Sequence, residues 1–107
     1  MYKMIRKQTR TDTSIPFFRM HESDDIGVDL KSHFAEEYVL PGKFLTVIED
    51  LSTDQLELSI TTFWNTKEDL DAFKADPICQ QMRQIAEDHC TAHSIVVETV
   101  SEEEITL

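Results

Sequence analysis

Leu56-Glu57-Leu58-Ser59-Ile60-Thr61-Thr62-Phe63-Trp64-Asn65-Thr66-Lys67-Glu68-Asp69-Leu70-Asp71-Ala72-Phe73 decides the fold. The stretch begins with period-2 alternation and ends in a polar turn that carries helix-start chemistry. Leu56, Leu58, Ile60, Thr62 and Trp64 share one strand face, and Glu57, Ser59, Thr61 and Phe63 share the other. Thr66 then reads as an N-cap with Asp69 three residues on, and the helix dipole favours Glu68 and Asp69 in the first turn. A strand therefore delivers a Trp to its own end and turns at once into an acidic helix.

Working outward, Tyr2 to Arg10 alternates and reads as strand one. Pro16 excludes a central strand over 11–20, yet Ile15, Phe17 and Phe18 are too apolar for a free loop, so this segment is expected to lie over the core or a dimer partner. Helix one is expected to be capped at Ser23 or Asp24, with Ile26, Leu30, Phe34 and Tyr38 on one face and His33 beside them. Leu40-Pro41-Gly42 stops it. Strand two is Lys43–Asp50, a polar hairpin over 51–55 follows, and strand three occupies 56–64. Helix two starts near Lys67 and is broken or restarted at Asp76-Pro77. Its second piece carries Ile78, Met82, Ile85, Ala86 and His89 at helical spacing and ends near His93. Strand four covers 94–100, and 101–107 is an acidic tail with room for a short edge strand.

The order β-α-β-β-α-β is the ferredoxin-like pattern of the α+β class, an antiparallel sheet with both helices on one face. Strand two is apolar on both sides, with Phe44 and Ile48 against Leu45 and Val47, and strand four sets Ile95 and Val97 against Val96 and Val100. Two helices cover one face only, so the second apolar face calls for a partner, and a two-fold sheet-to-sheet homodimer is the simplest. Val47 and Val96 are taken together as candidate interface residues, with Leu45 and Val100 as those of the opposite phase.

At 107 residues the chain is expected to be one domain, 1–107. No apolar run approaches the ~20 residues of a bilayer span, and Met1–Lys7 lacks the apolar core of a signal peptide. A soluble, cytoplasmic protein is the default. The formal charge of -11 repels phosphate backbones and argues against nucleic-acid partners. Residues 1–19 run against that balance, with Lys3, Arg6, Lys7, Arg10 and Arg19 against Asp12 alone. These cations either pair with acidic neighbours or form a small anion site.

The strand–Trp64–polar turn–acidic helix motif resembles the antibiotic-biosynthesis-monooxygenase-like (ABM-like) family, clearest over residues 43–100. The resemblance implies a dimeric α+β barrel that joins through its sheets. It also implies oxidation of a small aromatic or quinone-type compound without metal, haem or flavin: the substrate is deprotonated and reacts with dioxygen itself. Trp64 takes the position that borders substrate in that family. Helical spacing puts Phe34 and Tyr38 on the same lining and makes His33 the candidate base, since an unperturbed His titrates near pH 6.5. The alternative is a non-catalytic dimeric module that binds a small ligand or none. Haem degradation, known in related proteins, is disfavoured. Ala75-Asp76 matches that branch, but Met82 stands where its haem-ligating His belongs, and strand one lacks its Asn.

Two further clusters carry less. His89 and His93 are i and i+4 with Cys90 between them, but two ligands make no metal site, so no metal is expected. Cys79 and Cys90 sit about 16 Å apart on a continuous helix, beyond the ~7 Å a disulfide allows, and reduced thiols suit the cytoplasm.

Overall fold

The computed structural model describes residues 1–106. Strand β1 (Tyr2–Thr9) lies inside a four-stranded antiparallel sheet with β2 (Phe44–Leu51), β3 (Glu57–Trp64) and β4 (Val96–Glu104), in the order β2-β3-β1-β4. Helix α1 (Val28–Phe34) runs into a π-helical turn (Ala35–Val39), and α2 (Lys67–Ala75) is followed directly by α3 (Pro77–Ala92). The α+β, ferredoxin-like topology is the one the sequence pattern predicts. Thr66 caps α2 by accepting the Asp69 amide at 3.1 Å, and Asp76 caps α3 by accepting from Ile78 with Pro77 in the first turn.

Three expectations are corrected. Helix one starts later than Ser23 or Asp24. Ser23 Oγ instead accepts the Asp25 amide in a local turn, and α1 begins after Gly27 without a side-chain cap. Short polar side chains compete for nearby amides in turns, and Ile26 is already buried before the helix begins. Strand four reaches Glu104, because the tail acids meet cations: Glu102 takes Lys74, Glu103 takes Lys3 and Glu104 takes the N-terminal amine. Leu107, the end of that tail, lies outside the described residues.

The third correction concerns faces. Phe44 and Thr46 oppose Trp64 and Phe63, so Leu45 is an extra residue, a bulge that reverses the alternation of β2. Phe44 and Val47 consequently share the helix-covered face, while Ile48 points the other way. A second bulge at Val100 falls where Ser101 and Thr99 oppose Ile5 and Arg6. Val47 and Val96 therefore do not share a face: Val47 pairs with Thr62 on the helix side, and Val96 pairs with Thr9 on the bare side.

The core lies between helices and sheet, around Tyr2, Leu70, Phe73, Cys79 and Met82. The 11–20 segment folds back onto it. Gln8 mimics a strand partner, its amide donating to Phe18 O at 2.7 Å and accepting the Phe18 amide at 2.9 Å, and Phe17 and Phe18 are buried.

Candidate functional site

The alternation of β1 sends Tyr2, Met4, Arg6 and Gln8 under the helices, opposite Trp64, Thr62, Ile60 and Leu58 of β3. Between this surface and the helices lies a cavity of about 940 Å³. Its wall is largely apolar, with Met4, Phe34, Phe44, Ile60, Trp64 and Met82 among the lining residues. That size suits a small organic ligand.

Trp64 anchors one end. It is 1% exposed and its indole N–H donates to Thr62 Oγ1 at 3.0 Å. Phe73 lies 5.0 Å from it, Phe44 5.3 Å and Tyr38 6.3 Å between ring centroids. Phe34 packs edge-on against both Phe44 and Phe73. Offset and edge-to-face pairs at these separations are favourable beyond their area burial. Trp64 is thus both a core residue and a cavity wall.

His33 and Tyr38 stand elsewhere: neither is among the cavity-lining residues. His33 Nε2 donates to Asp76 Oδ2 at 2.7 Å, and the Tyr38 hydroxyl donates to the same oxygen at 2.8 Å. The π-helical turn helps to place Tyr38. An α-helix advances about 100° per residue, so an i+4 ladder drifts by about 40° each step. The wider turn, closed by Leu40 N–H to Ala35 O at 2.9 Å, takes back part of that drift and keeps Tyr38 inward.

Asp76 is the hub of this cluster. Burial pushes its pKa up, but hydrogen bonds from His33, Tyr38 and the amides of Ile78 and Cys79 outweigh that and hold the carboxyl well below the usual range. Burial and the bond to Asp76 raise the Tyr38 phenol. Burial pushes the Cys79 thiol up to about 12, with the Asp76 charge adding to it. His33, Asp76 and Cys79 place ligand atoms within 4.8 Å of one another. The Asp76 oxygens already accept several hydrogen bonds and the thiol is held protonated, so the cluster acts as a hydrogen-bonded tie between α1, the π turn and α3. His89 and His93 are engaged with backbone, donating to Pro16 O and His89 O at 2.8 Å each.

The sequence reading placed Arg6 only among the N-terminal cations of a possible anion site and did not single out Gln8, Met20 or Arg83, and all four line the cavity. The signal for two of them was present. Arg6 and Gln8 share the phase of Tyr2 and Met4, and a cation on the inward face of a central strand needs an explanation.

No protein-family model matches the chain, and no curated protein matches it. Solved structures do match. A dimeric ferredoxin-like protein from an uncultured marine organism superposes with a TM-score of 0.63 at 9% identity, covering 100% of this chain and 96% of that one. A Deinococcus radiodurans protein assigned to the antibiotic biosynthesis monooxygenases gives 0.56 at 12% identity, covering 100% and 94%. Rv0793 from Mycobacterium tuberculosis gives 0.51 at 11% identity, with full coverage of both chains. At these identities the likeness establishes the fold. The chain has the ferredoxin-like fold shared with ABM-like proteins.

Proposed function

We propose that this protein binds a small aromatic or quinone-type compound in the cavity beside Trp64 and works as a homodimer paired through its bare sheet faces. The roughly 940 Å³ cavity with its aromatic end carries the binding half of this reading. The apolar face that no helix covers supports the dimer: Ile48 is 49% and Val96 65% exposed. A structural neighbour is itself a dimeric ferredoxin-like protein. No helix among the described residues is long and apolar enough to cross a membrane. Two buried, unlinked cysteines suit a reducing compartment such as the cytoplasm.

The chemistry that the ABM-like resemblance implies is oxidation of a phenol by dioxygen. One oxygen atom enters the ring to give a quinone, and the other leaves as water. In that reading His33 removes the phenol proton, Asp76 holds its Nε2–H, and Nδ1 is the basic nitrogen. Phe34 and Trp64 hold the rings, with Tyr38 supporting from behind. The second reading, a binding module without turnover, is favoured by the direction of His33, which meets Asp76 rather than the cavity.

One experiment separates the two. A hydroxylated polycyclic aromatic is titrated against the fluorescence of Trp64, then incubated aerobically with wild type and His33→Ala. Binding with turnover that falls about 10²–10⁴-fold in the variant supports the enzyme. Binding without turnover, or turnover indifferent to His33, removes His33 as the base. Absence of binding ends the cavity reading.

A further inference from the structure

Arg6 is misplaced for a residue of mere structure. It sits on the central strand β1, on the helix-covered face, directly opposite Ile60 on one side and Thr99 on the other. Its Nε is buried and has no hydrogen-bond partner among the described residues. It enters none of the ion pairs that tie down Lys3, Lys7 and Arg19. Buried donors are ordinarily paired, and charged ones nearly always. Burial, and then the neighbouring charge of Arg83, depress the Arg6 pKa, while Glu87 and Glu102 act the other way.

The surroundings repeat the signal. The chain carries a net charge of -11, yet its cavity is lined by Arg6, Arg19, Lys31, Lys74 and Arg83 against only Glu49 and Glu87. Arg19 is neutralised by Glu49 at 2.7 Å and Lys74 by Glu102 at 2.7 Å. That leaves Arg6, Lys31 and Arg83 without an ion pair among the described residues, and of the other two it is Arg83 whose charge bears on Arg6, with Glu87 acting the other way.

Resting on the cavity reading above, we propose that Arg6, with Arg83 beside it, receives the carboxylate of an aromatic carboxylic acid whose rings lie along Ile60, Phe44 and Trp64. A planar guanidinium matches a carboxylate in a two-bonded fork, and the exchange is strongest where water is excluded. A phosphate ester would bring a second charge and a hydration shell that this largely apolar wall cannot replace. Scale is set by the strand. Ile60 and Trp64 are four positions apart, about 14 Å at ~3.4 Å per residue, room for about three fused rings between the acid group and the indole.

A matched pair of probes tests this: anthracene-2-carboxylate and 2-(hydroxymethyl)anthracene, titrated by energy transfer from Trp64, the single Trp of the chain. The carboxylate is expected to bind wild type at least tenfold more tightly than the alcohol. Arg6→Gln should bring that ratio close to one, chiefly by weakening the carboxylate, and Arg83→Gln should lower it by less. Should Arg6→Gln fail to fold, Arg6→Lys keeps the charge without the fork, and a severalfold loss confined to the carboxylate is expected. Equal affinities in wild type overturn the acid assignment while leaving the cavity reading standing. So does a ratio that survives every Arg6 and Arg83 variant. If neither probe binds, the cavity reading falls and takes this inference with it.

Discussion

Ile5 and Arg6 are neighbours in β1 and invert the common arrangement: the cation turns toward the helices, and the isoleucine turns to the face that no helix covers. The same contrast extends across the sheet. The covered face carries Arg6, Gln8, Thr62 and Glu49 among its aromatics, around a chamber. The bare face carries Ile5, Ile48, Phe63 and Val96, crossed by ion pairs such as Lys7 with Glu57 and Glu98. A partly polar inner surface and a partly apolar outer one are what the proposed function asks for, a ligand on one side and a second copy on the other. The two faces should therefore fail in different ways.

The largest effect is expected at the aromatic end of the covered face. Trp64→Ala should lower stability by about 3–5 kcal/mol, the range for truncating a fully buried large aromatic. Urea denaturation followed by circular dichroism measures it. A loss under about 1 kcal/mol would mean that the chamber, rather than close packing, surrounds the indole. Native emission should be blue-shifted and poorly quenched.

The bare face is expected to break by dissociation. Ile48→Glu or Val96→Glu should bury an uncompensated charge in the paired sheets. The cost is about 3 kcal/mol, on the order of a hundredfold in the dimer dissociation constant. Light scattering should then show a species near the chain mass of 12.4 kDa, against twice that expected for wild type. Val47→Glu, on the other face, should leave the mass unchanged and weaken ligand binding. A wild type that runs as a stable monomer at micromolar concentration would dispose of the dimer altogether.

The smallest effect concerns the tie at Asp76, behind the chamber. Its folded pKa lies below the unfolded one, so its contribution is full above about pH 4 and is lost as pH falls from there through the folded value. Asp76→Asn keeps the helix cap but not the charge. It should cost about 1–2 kcal/mol at pH 7, and the gap from wild type should close as pH drops below 4. A gap independent of pH down to 2 would assign the cost to packing.

Much of this architecture was legible because local signals agreed. The alternation over 56–64, the Thr66 cap, the Asp76-Pro77 restart and the polar hairpin all place their elements within a residue or two of the observed ends. What escaped depended on tertiary partners. The Leu45 bulge shifts β2 by one residue without any Gly or Pro to announce it, and so moves Val47 to the opposite face. Glu102–Glu104 look like a solvated tail until Lys3, Lys74 and the amino terminus are brought opposite them. The lining of the candidate cavity was half visible. Trp64 and Phe34 line the cavity, whereas His33 and Tyr38 meet at Asp76, forty residues away in sequence, where no spacing rule could pair them.

The two bulges also bear on how copies of this chain avoid one another. Each lies on an outermost strand, Leu45 on β2 and Val100 on β4, at the two open margins of the sheet. A long regular margin is a template for open-ended polymerisation, because its free amides and carbonyls can dock a further strand indefinitely. An extra residue interrupts that template and sharpens the local twist. With both margins interrupted, the sheet is a poorer template for open-ended growth in either direction, and the proposed face-to-face pairing, which closes after two copies, uses neither margin.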